Sequence, residues 1–263
     1  MKILLVGDIV GRPGREAIKK IIPELRKSKG IDFVIGNAEN IAGGSGLTSD
    51  TADEVLNSQV DVLTSGDHVW KKKEMYGRLE KDTRILRPAN FPEMCPGRGA
   101  TLIKSNSGKV VGVVNVLGRV FMNHIDCPFK AAKRELEKIK KDTKIIVVDM
   151  HAEATSEKIA LGRFLDGEVS AIFGSHTHVQ TADEKILPQH SAYITDVGMT
   201  GAQDSVIGRK VEVIIEHFIT CMPAKFEMAD KDVELQGAIV DIDEESGKAV
   251  SMERVKERLK DYL

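Results

Sequence analysis

The sequence predicts a layered α/β protein, on three observations. Short runs rich in Val and Ile alternate with amphipathic stretches of helical period. Of the 263 residues, 41% are apolar and 30% charged, an ordinary globular balance that argues against disorder. The third observation is positional: the scarce carboxylates and imidazoles collect just past the ends of the apolar runs.

Taken in order, Ile3-Leu4-Leu5-Val6 reads as a buried strand, and residues 7–14 as the turn after it. A helix is predicted over 16–28, with Ala17, Ile18, Ile21, Ile22 and Leu25 on one face. Phe33-Val34-Ile35 and Val60-Asp61-Val62-Leu63 are the next strands, with a helix over 49–56 between them. Residues 71–81 read as a solvated helix, and Ala100-Thr101-Leu102-Ile103 pairs with 110–116 across Asn106-Ser107-Gly108. Residues 130–141 form a charged amphipathic helix whose apolar stripe is Ala131, Leu136 and Ile139. Buried strands follow at 145–148 and 169–173, then a helix after Gly208 and C-terminal strands near 224–228 and 235–242. Residues 241–247 lack the oxygen spacing of a calcium loop and read as a hairpin turn. No repeat, low-complexity stretch or linker divides the chain. The expectation is one domain over 1–263, with a small inserted subregion around 70–130.

Charge and composition exclude several classes of function. Lys+Arg 38 against Asp+Glu 40 leaves a net charge of -2, so direct nucleic-acid binding is not expected. No apolar run reaches membrane-spanning length. The N-terminal run meets Asp8 too early for a signal-peptide core. Cys95, Cys127 and Cys221 are scattered and odd in number, which speaks against a disulfide framework. A cytoplasmic protein acting on a small molecule is expected, and a homo-oligomer is compatible with the sequence.

The strand ends carry the chemistry. Asp8 follows the first strand, Glu39-Asn40 the second and Asp67-His68 the third. His151 follows Ile145-Ile146-Val147-Val148-Asp149-Met150, and His176-Thr177-His178 follows the run that ends at Gly174. In open α/β sheets the carboxyl edge of the strands is where ligands bind. An extended backbone would send His176 and His178 to the same side. The mixed nitrogen and oxygen donors exceed the needs of one zinc and suit a pair of divalent metals. Such a pair clamps the attacking and leaving oxygens of a phosphoryl group. Asp149 is a candidate to fix a ligand imidazole in its tautomer. Arg12, Arg87 and Asn90 are weaker candidates for phosphate or base. His124, His190 and His217 read as ordinary histidines that satisfy backbone carbonyls.

The ordered set Asp, Glu-Asn, Asp-His, His and His-x-His resembles the calcineurin-like metallophosphoesterases, and within them the bacterial YmdB family of phosphodiesterases. Gly7-Asp8-Ile9-Val10-Gly11, Arg87-Pro88-Ala89-Asn90-Phe91-Pro92, His151-Ala152-Glu153-Ala154-Thr155-Ser156-Glu157-Lys158, His176-Thr177-His178-Val179-Gln180-Thr181-Ala182-Asp183 and Tyr193-Ile194-Thr195-Asp196-Val197-Gly198-Met199-Thr200-Gly201 extend the likeness along the chain. The resemblance implies a two-sheet sandwich flanked by helices in α-β-β-α layers. It also implies two metal ions, Fe favoured over Mn or Zn, bridged by Glu39. Asp8, Asn40 and His178 would complete one metal; Asp67, His151 and His176 would complete the other. His68 would be the general acid in hydrolysis of a cyclic nucleotide, the 2′,3′-cyclic type favoured, by a hydroxide bridging the metals. A phosphomonoesterase on the same site, or a regulatory protein with a vestigial centre, are the alternatives. Two departures stand out. Asp8-Ile9-Val10 lacks the histidine of the broader superfamily's Asp-x-His, and Gly66-Asp67-His68 has a carboxylate where the family carries an amide. Asp67 is therefore read as a charged ligand, or else as a cap for a helix starting near Val69.

Overall fold

The computed structural model describes residues 1–122 and 124–262. Walking the chain gives β1 (Lys2–Val6), β2 (Asp8–Ile9), α1 (Gly11–Lys29), β3 (Phe33–Asn37), α2 (Ser49–Asn57) and β4 (Val62–Thr64). Then come α3 (Met75–Lys81), β5 (Ala100–Lys104), β6 (Val110–Leu117), α4 (Pro128–Ile139), β7 (Ile146–His151) and α5 (Thr155–Leu165). The last third holds β8 (Ala171–Ser175), β9 (Lys185–Ile186), β10 (Ala192–Ile194), β11 (Met199–Ala202), α6 (Val211–Thr220), β12 (Val233–Ile242) and β13 (Ala249–Arg258).

Two mixed sheets result. One runs β2-β11-β12-β1-β3-β4, with β13 paired to β12, and the other runs β5-β6-β7-β8-β10-β9. β1, β3 and β4 are parallel neighbours, as are β6, β7, β8 and β10. Strand alternation then builds the layers. Ile3, Leu5, Phe33 and Ile35 face inward and meet Val111, Val113, Val147 and Phe173 of the other sheet. Leu4, Val6 and Val34 face outward onto Ile18, Ile21, Ile22 and Leu25 of α1. On the opposite side, Val114, Val148 and Ile172 cover Leu136 and Ile139 of α4 and Leu161 of α5. Burial on both faces is why these strands read as unbroken apolar runs. The α-β-β-α sandwich expected from the sequence is present.

Several elements depart from expectation. α1 begins at Gly11 rather than 16, because Pro13 sits in the first turn, where its missing N–H has no helical partner to lose. The helix expected over 71–81 is confined to Met75–Lys81, and it buries Met75 and Leu79 rather than being solvated throughout. Residues 224–228 form no strand; one isolated bridge joins Met228 to Arg209. Residues 243–248 do form the tip of a hairpin, between β12 and β13. No helix among the described residues is long and apolar enough to cross a membrane.

Candidate metal centre

The parallel strands deliver their C-terminal ends to one edge of the sandwich, where the two sheets meet. Asp8 opens β2, two residues after β1; Glu39 follows β3 by two residues and Asp67 follows β4 by three. From the other sheet, His151 ends β7 and His176 follows β8 directly. Carboxylates therefore come from one sheet and imidazoles from the other.

Ligand-type atoms of Glu39, Asp67, His151 and His176 all lie within 4.8 Å of one another. His151 Nε2 is 3.3 Å from Glu39 Oε1 and 3.6 Å from Asp67 Oδ1. His176 Nδ1 is 3.0 Å from His151 Nε2 and 3.8 Å from Asp67 Oδ1. Asp8, Asn40 and His178 gather beside this group. His178 Nε2 is 3.8 Å from Asp8 Oδ1 and 3.3 Å from Asn40 Nδ2, which is itself 3.2 Å from Glu39 Oε1. All seven residues named from the sequence thus come together. In this arrangement Asn40 turns its NH2 toward Glu39 and His178 and its oxygen toward His68 Nδ1, at 2.9 Å. A half-turn of the amide exchanges the two ends and would aim the oxygen at the Glu39 and His178 side.

Three features suit this cluster to cations. Asp8, Glu39 and Asp67 bring three carboxylates, and among the described residues their ion-pair partners are only histidines. Asp8 Oδ1 and Asp67 Oδ1 are buried with no hydrogen-bond partner, a cost that a bound cation would remove. Each imidazole also points one nitrogen inward and has the other held outside. His151 Nδ1 meets Ser175 Oγ at 2.9 Å, His176 Nε2 meets Glu153 Oε2 at 3.2 Å, and His178 Nδ1 meets the Ile207 carbonyl at 3.1 Å. Metal-ligating histidines carry this outer support, which fixes ring and tautomer. A side chain on Gly66 would overlap both His151 and Glu39, so only glycine lets the Asp67 turn pass this close.

The ionisation preferences agree. Burial pushes the Asp8 carboxyl up, against the pull of His178 and His151. Burial also opposes charge on Glu39 and Asp67, but the neighbouring histidines outweigh it and the net direction of both is downward. Burial and the proximity of His151 lower His176 to about 4, leaving the neutral, ligating imidazole. His151 moves up despite its burial, because Glu39 and Asp67 favour a cation at that spot. A metal satisfies the same demand as a proton.

Other expectations resolve differently. His176 and His178 reach one centre, but not through extended backbone: their φ values are 98° and 64°, in the left-handed region. The turn is clamped by Asp196, whose Oδ2 accepts from Thr177 N at 3.2 Å and Thr177 Oγ1 at 2.7 Å. Lys158 Nζ neutralises that carboxylate at 2.7 Å, with both side chains buried. Asp149 does not touch His151 directly. It accepts from Ser175 Oγ at 2.7 Å and Thr64 Oγ1 at 2.5 Å, and Ser175 carries the contact onward to the ring. Burial raises Asp149 to about 6. Asp67 caps no helix at 69; residues 67–70 are a turn, and α3 starts at Met75. Arg12 is exposed and paired with Glu16. Arg87 and Asn90 are buried and donate to backbone carbonyls, Arg87 to Pro88 and Cys95 and Asn90 to Leu117 and Asp126.

Residues that sequence reasoning passed over form the cavity beside the cluster. It measures about 490 Å³, with Glu39, Asn40, His68, His176 and His178 on one side. Ile207, Ile214, His217, Phe218 and Phe226 complete its lining. His217 does satisfy a carbonyl, that of Met222 at 2.7 Å, while its ring lines this cavity. Arg209 also lines it.

Comparison with known proteins agrees with the geometry. The model of the YmdB-like protein family matches residues 4–255. The chain is 46% identical over 255 residues to a 2′,3′-cyclic-nucleotide 2′-phosphodiesterase of Bacillus subtilis, covering 97% of this chain and 96% of that one. It is 34% identical to a putative phosphatase/phosphodiesterase of Mycoplasma genitalium, covering 97% and 92%. The crystal structure of a hypothetical protein from Thermus thermophilus superposes with a TM-score of 0.91 at 37% identity, covering 98% of this chain and 99% of that one. A novel phosphatase from Mycoplasma pneumoniae superposes with a TM-score of 0.91 at 33% identity, covering 98% and 93%. With the sandwich, the strand-end cluster and these likenesses together, the chain belongs to the YmdB family of calcineurin-like metallophosphoesterases.

Proposed function

We propose that this protein is a metal-dependent phosphodiesterase that opens 2′,3′-cyclic nucleotides to 3′-phosphates. The observation that carries the reading is the set of three inward imidazoles, each held from outside, facing three carboxylates that lack any lysine or arginine partner among the described residues. Glu39 would bridge two metals. Asp8, Asn40 and His178 would hold one; Asp67, His151 and His176 would hold the other. The donor set contains no thiolate and suits Fe, with Mn or Zn as substitutes. Bound there, the metals would supply Lewis-acid neutralisation of the phosphate and a lowered pKa for water. The similarity to the Bacillus subtilis enzyme supports the choice of substrate. The small cavity and free cysteines accord with a cytoplasmic enzyme acting on a small molecule.

The chain's own part is proton transfer and orientation. Water adds to phosphorus as the P–O2′ bond breaks, and O2′ must gain a proton while the 3′-phosphate remains. His68 is at the cavity wall with Nδ1 2.9 Å from Asn40 Oδ1 and its backbone N 3.1 Å from Glu39 Oε2. As an imidazolium it donates Nδ1–H to Asn40 and has Nε2–H free for the leaving oxygen. Asp67 Oδ2 lies 3.7 Å from that Nε2.

The test is His68→Ala on metal-loaded protein. It should keep both metals and lose on the order of 10²–10⁴-fold in rate on 2′,3′-cyclic AMP. A diester with an activated leaving group needs little protonation and should suffer less. Equal losses on both substrates, or loss of metal, would remove His68 as the acid. Cyclic AMP left intact by the loaded wild type, with a phosphomonoester cleaved instead, would replace the diesterase reading.

A further inference from the structure

The apolar part of the cavity lining has no role in the reaction described above, yet its composition is unusual. α6 reads Val-Glu-Val-Ile-Ile-Glu-His-Phe-Ile-Thr, and among its residues only Ile214 is buried. Phe218 is 76% exposed and Phe226 41% exposed, and exposed Ile215, Ile219 and Met222 add apolar surface of the kind that, as a patch, marks a binding site. His217 sits between them, with ring centroids 5.8 Å from Phe218 and 5.3 Å from Phe226. The three rings are one aromatic surface on the rim of the cavity that also holds His68, His176 and His178.

This surface is tied to the cluster. Arg209 Nη2 donates to the Gly44 carbonyl at 2.6 Å, and Nη1 reaches the carbonyls of Gly43 and Phe226 at 3.4 Å each. Gly43 and Gly44 belong to the loop that carries Glu39 and Asn40. One guanidinium therefore bridges the loop of the proposed ligands to the segment presenting Phe226. A cavity with an ion-binding end and an aromatic end, held at a set separation, matches a ligand with the same two ends. Its volume lies in the range of small-molecule sites.

From this we infer that Phe218 and Phe226 form the seat of the nucleobase and set the preference for nucleotides over other phosphodiesters. The inference rests on the phosphodiesterase reading and names where its substrate's base lies. Stacking tolerates every base, since each has a π-face, so Phe218 and Phe226 select for the presence of a base and leave its identity to other contacts. His217 adds one directional contact. Its Nδ1 must carry the proton, because the Met222 carbonyl only accepts, which leaves Nε2 of the neutral ring as an acceptor. An exocyclic amine, as on adenine or cytosine, is the group such an acceptor recognises.

The experiment compares 2′,3′-cyclic AMP with glycerol 1,2-cyclic phosphate, the same five-membered diester without a base. Phe218→Ala and Phe226→Ala, in metal-loaded protein, should raise KM for cyclic AMP. The preference for it over the base-free diester should fall about 5- to 150-fold. Phe218→Trp should restore the preference. Phe218 is exposed, so its replacement does not threaten folding. Equal losses on both diesters, or no loss on either, would overturn the assignment. So would unchanged preference with an altered sedimentation coefficient, which would make the wall an interface between two copies. Calorimetric binding of adenosine 3′-phosphate keeps the two proposals apart. If the wild type cleaves neither diester, the reaction is wrong. The seat then stands only if the wild type binds that nucleotide and the alanine variants lose affinity by a similar factor.

Discussion

Asp67 is the residue where a single atom changes the electrostatics of the centre. As a ligand it would supply a full negative charge where an amide would supply a dipole. Its Oδ1 is buried without a hydrogen-bond partner, 3.6 Å from His151 Nε2 and 3.8 Å from His176 Nδ1. No helix begins at 69 for it to cap. The extra charge should hold a metal more tightly and weaken the metal's pull on water and on an anionic phosphate. Asp67→Asn should then lower metal affinity on the order of tenfold or more, read by competition with a chelator. With the same metal bound, its activity profile should move toward lower pH and its KM should fall, because the metal acidifies water more strongly once a negative ligand is gone. Identical affinities and profiles in the two proteins would show that Asp67 does not act as a charged ligand.

At the scale of elements, the segment after β8 decides whether two imidazoles reach the centre at all. His176 and His178 lie in the left-handed region, which costs about 1–3 kcal/mol for each residue held there. The compensation is Asp196, which grips Thr177 between them and is itself neutralised by buried Lys158. Removing one member of a buried pair leaves the other charge unpaired. Lys158→Met should therefore destabilise the protein by about 3–5 kcal/mol in denaturant unfolding. It should also reduce metal occupancy, since the turn loses its clamp. A stable variant with full occupancy would assign the strain elsewhere. This clamp was invisible in the sequence, where Lys158 and Asp196 are far apart and each has an ordinary surface residue's chemistry. What could be read was whatever repeats locally. The apolar runs gave β1, β3, β7 and β8 because burial on both faces leaves no polar interruption. The amphipathic stripes gave α1, α2 and α4. No apolar run marks β13, because it carries the charges Glu253, Arg254, Lys256 and Glu257 on a half-exposed edge. α6 showed an apolar pattern with no hint that its partner is a cavity rather than a core. The metal-site candidates were legible for a topological reason: parallel strands end at one edge, so polar residues just past each strand must converge. The outer supports Ser175, Glu153 and the Ile207 carbonyl follow from packing that no local pattern encodes.

For the whole molecule, the position of the centre determines what a metal does to stability. The carboxylates Asp8, Glu39 and Asp67 belong to the β1-β3-β4 side and the imidazoles of His151, His176 and His178 to the β7-β8 side. Cations at the cluster would bind both sheets at once. The cores are built elsewhere: Leu5, Ile35, Val113 and Phe173 between the sheets, and α1 and α4 against their outer faces. Folding therefore does not need the metal, unlike a small zinc domain whose binding energy is its folding energy. Stripping the protein with a chelator should leave its far-UV circular dichroism intact. Its Tm should fall, because three carboxylates are then left together with only histidine protons to balance them. Added metal at a hundred times its Kd should restore about 2.7 kcal/mol, or roughly 5–10 °C for a chain of this size. Calorimetry across a Mn²⁺ titration reads this directly. A Tm indifferent to metal would mean that cations do not join the two sheets at this edge. Global unfolding in chelator would mean that the cores cannot stand without them. A metal-dependent Tm with an unchanged fold is the outcome that the separation of site and core requires.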